Sequence, residues 1–372
     1  MARARASAGW HGRILPGTEI ESRIGFDGLY ARPRPVRAFV LAGPRRFAVE
    51  DVEPPVAEPG QVVVDVERVG LCGTDVEFFT GEMAYLHDGQ AGYPLRLGHE
   101  WSGSVASAGE GVDPGWIGRR VIGDTMLGCL RCRRCGSGRA HLCEDRFEVG
   151  IRRGWPGALA DQLAIPVTAL HRLPDAVDPV AGALVEPGAN ALRAVRAAAV
   201  GRGDRLLILG AGAIGLLAAQ FASADGAEVH LMGRSQRSLD FAGGLGLGGV
   251  WPVGNLPSLP FDAVIDASNA PDLPALALDL VEPGGRVVYI GLAGTPSIID
   301  TRTLALKDVV ATGILSGSPG LGATIERYAS GAVDPRPLVA ATVGLDQVGA
   351  VLAGSRPGGA GLGPKIHVDP RR

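Results

Sequence analysis

The sequence predicts an α/β protein in which a β-rich part comes before a doubly wound parallel sheet. Between Val36 and Val69, short segments alternate apolar and polar residues and are separated by Pro and Gly, which is typical of strands joined by turns. After Asp178, apolar runs alternate with Ala-rich helical runs, and a glycine-rich loop joins one apolar run to the next helix. Because alternating strands and helices build a parallel sheet covered on both faces, this half predicts a doubly wound sheet.

Length and charge limit the class of protein. A chain of 372 residues is too long for one ordinary core and predicts two domains. The net charge of -3 provides no basic surface for nucleic acid, and no apolar run approaches the ~18 residues that span a bilayer. Four of the five cysteines lie in one loop, which favours a reduced cytoplasmic protein over a disulfide scaffold. We therefore expect small-molecule partners, no nucleic acid and no membrane.

The β-rich part has a readable order of elements. Strands are predicted at RAFVL, FAVEDVE and QVVVDVERV, a short helix at CGTDVEFFTG, and further strands at RLGHEWSGSVASAG, RRVIGD and LADQLAIP. Residues 1–36 carry several arginines but no apolar core of a signal peptide, so they predict an N-terminal extension. A transit peptide is disfavoured because Glu19, Glu21 and Asp27 interrupt the segment.

Four cysteines, Cys129, Cys132, Cys135 and Cys143, have the spacing C-x₂-C-x₂-C-x₇-C and predict a structural zinc site. The loop has no apolar period of a helix or strand, so a metal would hold its shape. A redox pair, a disulfide lobe and an iron–sulfur cluster are alternatives, but none of them accounts for all four spacings.

The second half begins with a predicted helix over Val180–Val200 that is broken at Pro187. Alternating strands and helices follow, and the order is RLLILG, AIGLLAAQFASA, EVHLMG, SLDFAGGLG, AVIDAS, RVVYIG and VVATGI. The last apolar segments, VAATVGL and KIHVDP, again predict strands, which could pair with the first part of the chain.

The loop Gly210-Ala211-Gly212-Ala213-Ile214-Gly215 predicts a dinucleotide site because it joins a predicted strand to a predicted helix. Gly210 permits the tight turn, Gly212 allows the backbone to approach a pyrophosphate, and Gly215 permits close packing of helix and sheet. The amides of Ala213 and Ile214 would face the anion at the helix N-terminus. An ordinary turn in a Gly-rich chain is the alternative interpretation.

The end of the next predicted strand indicates which dinucleotide binds. An Asp or Glu there would bind the ribose hydroxyls of NAD, but this chain has Gly233-Arg234-Ser235. Arg234 supplies a forked cation and Ser235 a hydroxyl for a 2′-phosphate, so we predict NADP over NAD. In the alternative, Arg234 stacks on adenine in an NAD enzyme or lies in solvent.

Cys72, His99 and Glu186 are candidate ligands of a second metal. Cys72 lies at a predicted helix start, a favourable place for a thiolate, and His99 follows a Pro- and Gly-containing loop. A thiolate and an imidazole form half of a catalytic zinc site, and Glu186 is a carboxylate in an otherwise apolar run. Taken singly, each of the three favours a structural interpretation: a buried free cysteine, a core histidine and a solvated glutamate.

Together these motifs resemble the zinc-containing medium-chain dehydrogenase/reductase family over about residues 36–370. The marks of the resemblance are CGTD, GHE, the four-cysteine loop, GAGAIG and PGGRV before a strand. The resemblance implies a GroES-like β-rich catalytic domain formed by residues 37–187 and 328–372. It also implies an inserted Rossmann domain over residues 188–327, with the active site in the cleft between the two.

The same resemblance implies roles for individual residues. Cys72 and His99 would hold a catalytic zinc, with Glu186 binding it directly or through water. Glu100 would be a second carboxylate that can approach this metal. Thr74 would bond the substrate oxygen and begin a proton relay. Many relatives have a histidine where this chain has Glu77; either Glu77 or a water chain replaces it, or Glu77 is a plain surface carboxylate.

The implied function is a dehydrogenase with two zinc ions per subunit that interconverts a secondary alcohol and a ketone with NADP, as a homodimer or homotetramer. Two stretches, GHEWSGSV and LCEDRFEVGIRRGWPGALADQLAIP, are similar to bacterial dehydrogenases of cyclitols and aminocyclitols. The alternatives are an NAD-dependent sorbitol- or threonine-type dehydrogenase and a non-catalytic zinc-stabilised nucleotide-binding protein. A zinc-independent enoyl or quinone reductase on the same scaffold is disfavoured because such relatives usually lack these cysteine and histidine sets.

Overall fold

A computed structural model of the chain describes residues 35–372. The predicted N-terminal extension over residues 1–36 therefore lies almost wholly outside the described residues. The strands are β1 Val36–Gly43, β2 Arg46–Val52, β3 Gln61–Gly70, β4 Glu100–Ala108, β5 Arg120–Gly123, β6 Met126–Leu127, β7 Phe147–Glu148, β8 Gln162–Pro166, β9 Leu170–Arg172, β10 Arg205–Leu209, β11 Glu228–Gly233, β12 Gly249–Pro252, β13 Phe261–Asp266, β14 Val281–Tyr289, β15 Val310–Gly313, β16 Val339–Val343 and β17 Lys365–Val368. The α-helices are α1 Gly73–Thr80, α2 Ala84–His87, α3 Arg133–Gly136, α4 Pro179–Ala183, α5 Val185–Ala198, α6 Ala213–Ala224, α7 Gln236–Gly243, α8 Leu273–Leu280, α9 Thr301–Leu306, α10 Leu321–Ala329 and α11 Val348–Leu352.

The second half forms a six-stranded parallel sheet in the order β12-β11-β10-β13-β14-β15. The chain runs outward from β10 in one direction and returns to the other side of β10 at β13, which is the doubly wound order of a Rossmann sheet. Residues of α5 and α6 form one buried cluster with the sheet, and residues of α8 form another. The predicted fold class is confirmed, and the carboxyl ends of β10 and β13 mark the switch point at which such sheets bind ligands.

The β-rich part is built around β3, which pairs antiparallel with β4 along most of its length. On the other edge of β3, β8 pairs with Gln61–Asp65, whereas β17 pairs with Val69 and Gly70. The C-terminal strand therefore returns to the end of β3, just before Cys72. This pairing agrees with a first domain completed by the C-terminus, while the domain boundaries at 187/188 and 327/328 stay a prediction.

The long helix predicted over Val180–Val200 is two helices, α4 and α5, and the break lies at Leu184 rather than at Pro187. Pro187 is in the first turn of α5, where a missing backbone N–H breaks no intrahelical hydrogen bond, so proline is compatible with the helix start. Helix α5 ends at Ala198, and the C-cap residue Ala199 has a left-handed φ of 52°. The new break places Glu186 in the first turn of α5.

Within residues 35–372, none of the helices combines the length and the apolar character required to cross a bilayer.

Candidate metal and nucleotide sites

Cys72 lies at the junction between β3 and α1. It is the N-cap residue of α1, and its backbone N–H donates a hydrogen bond to Asp75 Oδ2 over 2.8 Å. Asp75 is fully buried, and burial, the largest effect, raises the pKa of its carboxyl group. The hydrogen bond from Cys72 to Asp75 in the first turn of α1 thus fixes the backbone of Cys72.

His99 enters the same site directly before β4. Gly98 has a φ of +98°, and a Cβ there would lie 2.8 Å from the backbone nitrogen of Leu159, so only glycine fits. His99 Nδ1 lies 3.7 Å from Asp75 Oδ1, and neither atom has a hydrogen-bond partner among the described residues. Asp75 is therefore placed to orient the imidazole, as carboxylates do behind metal-binding histidines.

The donor atoms of Cys72, His99 and Glu100 form a group that fits a metal ion. The Cys72 sulfur, one ring nitrogen of His99 and one Glu100 oxygen all lie within 4.8 Å of one another. Burial lowers the pKa of His99, but Asp75, Cys72 and Glu186 outweigh this effect and raise the pKa to about 10. The acidic groups around the imidazole favour a positive charge at this place, which a divalent cation would supply.

Glu100 is held by a buried ion pair. Lys365 Nζ donates to both carboxylate oxygens of Glu100 and to the Leu71 carbonyl, the last over 3.1 Å. Burial raises the pKa of Glu100, but Lys365 outweighs burial and the pKa is lowered. Gly70 lies opposite Glu100 in the β3–β4 pairing, and a Cβ at Gly70 would lie 2.2 Å from Glu100 Oε2. The missing side chain of Gly70 therefore makes the space in which this carboxylate lies.

Glu186 lies close to this group but outside the set of three donors within 4.8 Å. Asn190, one turn later on α5, donates a hydrogen bond to Glu186 Oε1 over 2.9 Å. Burial, opposed by His99 and reinforced by Glu100, raises the pKa of Glu186 to about 7. The geometry therefore brings Glu100 nearer to Cys72 and His99 than the sequence had suggested, with Glu186 beside them.

The two residues proposed for proton relay lie on α1. Thr74 is half-buried two residues after Cys72, in the first turn of the helix. Glu77 is on the exposed side of the same helix. This position is compatible with a proton path to solvent and equally with a plain surface carboxylate.

The four cysteines of the metal loop converge, and no cysteine of the described chain forms a disulfide. The Cys132 sulfur lies 3.6 Å from that of Cys135 and 3.8 Å from that of Cys143. Four sulfurs about 2.3 Å from one ion in a tetrahedron would be separated by roughly 3.8 Å. Backbone amides of Arg131 and Cys132 donate to Cys129 and lower the pKa of its thiol to about 6. The loop thus fits a structural zinc.

The glycine-rich loop has the conformation of a dinucleotide loop. Gly210 follows β10 with a φ of +114°, which favours glycine. Gly212 is the N-cap of α6, and a Cβ there would meet nothing within 4 Å, which leaves space for a ligand. At Gly215 a Cβ would lie 1.9 Å from the Gly210 carbonyl oxygen, so the turn and the helix require glycine. Ala213 and Ile214 begin α6, and their amides are at its N-terminus.

The end of β11 carries Gly233, Arg234 and Ser235. Gly233 has a packing reason of its own, since a Cβ there would lie 2.7 Å from the Cβ of Ala211 in the glycine-rich loop. Ser235 is the N-cap of α7, and its Oγ accepts a hydrogen bond from the Ser238 amide over 3.2 Å. Arg234 is exposed.

The sequence interpretation assigned no role to several residues that shape the site. Asp75 was noted only as a member of the motif CGTD, although an acidic residue three positions after the N-cap is a recognisable capping signal. Lys365 is one of two lysines in the chain, and this rarity was its only sequence signal. Asn190 and Gly70 had no signal, because their roles depend on neighbours in space.

Comparisons with known proteins agree with this geometry. Residues 58–175 match the alcohol dehydrogenase GroES-like domain, and residues 213–330 match the zinc-binding dehydrogenase domain. The chain is 31% identical over 323 residues to 2-dehydro-3-deoxy-L-galactonate 5-dehydrogenase of Pseudoalteromonas atlantica, covering 84% of this chain and 92% of that protein. It is 32% identical over 272 residues to L-galactonate-5-dehydrogenase of Escherichia coli, covering 69% and 76%. A putative zinc-binding dehydrogenase from Sinorhizobium meliloti bound to NADP superposes with a TM-score of 0.82 at 28% identity, covering 91% of this chain and all of the other.

The fold, the cysteine and histidine motifs and the glycine-rich loop therefore define a zinc-dependent oxidoreductase with a nicotinamide cofactor. The chain belongs to the zinc-containing medium-chain dehydrogenase/reductase family, and it is an alcohol dehydrogenase that acts on CH–OH donors.

Proposed function

We propose that this enzyme oxidises a secondary hydroxyl of a polyhydroxylated substrate, or reduces the ketone, with zinc held by Cys72 and His99 and with NADP as cofactor. The observation that carries the proposal is the grouping of one thiolate, one imidazole and one carboxylate within 4.8 Å in the β-rich part. The second zinc belongs to the four-cysteine loop. A cytoplasmic location is part of the proposal.

Each residue of the catalytic group has a distinct task in this proposal. Cys72 and His99 bind the metal, and Asp75 fixes the imidazole ring behind it. Glu100 and Glu186 are the two carboxylates that can complete the ligand set. Glu100 is nearer, but Lys365 occupies both of its oxygens, so Glu186 binds directly or through water.

The metal would supply Lewis acidity toward the substrate hydroxyl, and the nicotinamide would supply a hydride acceptor. Thr74 accepts the hydroxyl proton and passes it toward solvent, with Glu77 or a water chain as the next step. Gly212 and the α6 amides hold the pyrophosphate in place. Arg234 pairs with the 2′-phosphate.

A substrate panel with both cofactors tests the proposal. Open-chain polyols, sugar acids, cyclitols, aminocyclitols and simple secondary alcohols are assayed with NADP and NAD in parallel. We expect turnover of polyhydroxylated substrates and a lower KM for NADP than for NAD. Nucleotide binding with two bound zinc ions but no turnover of any alcohol would contradict the proposal.

Arg234→Ala isolates the basis of the cofactor preference. Loss of a charge-assisted contact should raise the KM for NADP by about 10- to 100-fold and leave that for NAD nearly unchanged. Arg302→Ala, at an exposed arginine on α9, is the matched control. An unchanged KM for NADP in Arg234→Ala would exclude Arg234 as the phosphate ligand.

We also propose a homodimer or homotetramer, with β15 at the interface. β15 is an edge strand, and Leu292, Ile298 and Leu306 before it are 81–89% exposed. An unpaired strand edge beside apolar side chains favours association between copies. Sedimentation should show a dimer or tetramer that Leu306→Glu shifts toward monomer. Val56→Glu, at an exposed apolar residue of the loop between β2 and β3, should have no effect.

A further inference from the structure

Ser318 forms a hydrogen bond between two parts of the chain that are remote in sequence. It lies in the turn of residues 316–320, between β15 and α10, and its Oγ donates to Asp124 Oδ1 over 2.7 Å. Asp124 directly follows β5. The backbone N–H of Met126 donates to the same Asp124 oxygen over 2.9 Å, and Ser316 Oγ lies 2.8 Å from Ser318 Oγ. Both side chains of this hydrogen bond are therefore held in place by neighbouring polar groups.

The Asp124 end of this hydrogen bond adjoins His99. Thr125, the next residue, is buried, and its Oγ1 donates to the His99 carbonyl over 3.3 Å. The Asp124 N–H donates to the Ala169 carbonyl over 2.8 Å, and the Thr125 carbonyl accepts from the Val149 N–H over 3.0 Å. The segment that contacts the backbone of His99 is thus fixed on both sides.

The Ser318 end packs against the start of α5, which carries Glu186. A Cβ at Gly317 would lie 2.9 Å from the Glu186 carbonyl oxygen and 3.0 Å from the Asn190 backbone nitrogen, so only glycine allows this close approach. Arg193, two turns after Glu186 on the same helix, donates a hydrogen bond to the Ser316 carbonyl. The turn of residues 316–320 is therefore held to the first turns of α5.

The position of Glu186 depends on this link. Its carboxylate lies outside the group of donor atoms from Cys72, His99 and Glu100 that are within 4.8 Å of one another. Its distance from His99 is set by how α5 packs beside β4, and the hydrogen bond between Ser318 and Asp124 connects the two sides. Residues behind the ligands of a metal fix the ligand geometry in this way.

We propose that Ser318 and Asp124 are positioning residues that hold Glu186 at the distance from His99 at which its carboxylate completes the metal site. The inference rests on the proposed function and adds two residues to it. Both act through other residues: Asp124 acts through Thr125, and Ser318 acts through the packing of its turn on α5.

The rate of zinc loss to a chelator tests the inference without any turnover. In the holoenzyme, Ser318→Ala should lose one of its two zinc ions about 10-fold faster than the wild type, because changes behind metal ligands weaken binding by this order. The other ion should leave at the wild-type rate, and kcat should fall by a similar factor. Ser318→Thr keeps the hydroxyl and should behave as the wild type. Ser330→Ala, which removes an exposed hydroxyl bonded to the Arg327 carbonyl, is the matched control.

A double-mutant cycle tests whether Ser318 acts through Glu186. In the Glu186→Ala background, Ser318→Ala should cause no further change in zinc loss or in kcat. A merely structural hydrogen bond would instead have the same effect in both backgrounds, and it would lower the unfolding temperature without a selective loss of one ion. Either result would overturn the inference.

The two proposals fail in distinguishable ways. If no alcohol is turned over but Ser318→Ala accelerates zinc loss only when Glu186 is present, the proposed function fails and the positioning role remains. If Ser318→Ala retains both ions and turns over alcohols as the wild type does, the inference is wrong and the proposed function remains.

Discussion

Cys72→Ser is expected to lower kcat by roughly 1000-fold or more and to remove one of two bound zinc ions. The thiolate is at the N-cap of α1, within 4.8 Å of the donor atoms of His99 and Glu100, and serine is a poor zinc ligand that keeps the same shape. Loss of Lewis acidity worth several kcal/mol accounts for the size of the effect. Steady-state kinetics and metal analysis measure the two quantities, and full activity with both ions retained would contradict the assignment.

Paired variants at Glu100 and Glu186 decide which carboxylate completes the site. Glu186→Ala should lower catalytic zinc occupancy or turnover if Glu186 is a ligand, and the zinc of the cysteine loop should remain. Glu100→Gln also leaves Lys365 without its anion, so its unfolding temperature must be measured together with metal content. Unchanged metal and activity in Glu186→Ala would assign the role to Glu100.

Cys135→Ser is expected to remove the other zinc ion and to lower the unfolding temperature by roughly 10 °C or more. The Cys135 sulfur lies 3.6 Å from that of Cys132, and α3 within the loop is a single turn that cannot be stable alone. The free energy of metal binding is therefore the main contribution to folding of the loop, and several kcal/mol would be lost. Calorimetry and metal analysis provide the measurement.

Cys72→Ser is the matched control for this experiment, since it removes a thiolate but leaves the four-cysteine loop complete. It should keep an unfolding temperature close to that of the wild type while losing activity, and Cys135→Ser should lose stability first. An unchanged unfolding temperature in Cys135→Ser with both ions still bound would refute the structural role of the loop.

The fold class could be predicted from the sequence because the motifs that indicate it lie within short stretches of the chain. The strand RLLIL, the loop Gly210–Gly215 and the helix after it follow one another in the chain, and Gly210 and Gly215 meet steric needs that the motif predicts. The helix over Val180–Val200 was predicted less well. Proline was taken as a break, but at Pro187 it lies in a first turn where it is tolerated, and the break falls at Leu184.

The catalytic group was predictable in part. The structure places a donor atom of Cys72 and one of His99 within 4.8 Å of each other, and their role as metal ligands stays a prediction. It was harder to predict which carboxylate lies nearer to Cys72 and His99, because the distances of Glu100 and Glu186 from them depend on how α5 packs beside β4. Lys365 and Gly70 could not be assigned at all, because β17 and β3 come together only in the folded sheet.

The sequence by itself determined the two-part α/β organisation, the four-cysteine loop and the nucleotide loop, since each depends on residue types at short fixed spacings. Tertiary structure alone decided which acids surround the imidazole and which lysine neutralises Glu100. Those features depend on pairwise distances between remote segments and on burial, which sets the strength of every charge interaction, and neither quantity is written in a local pattern.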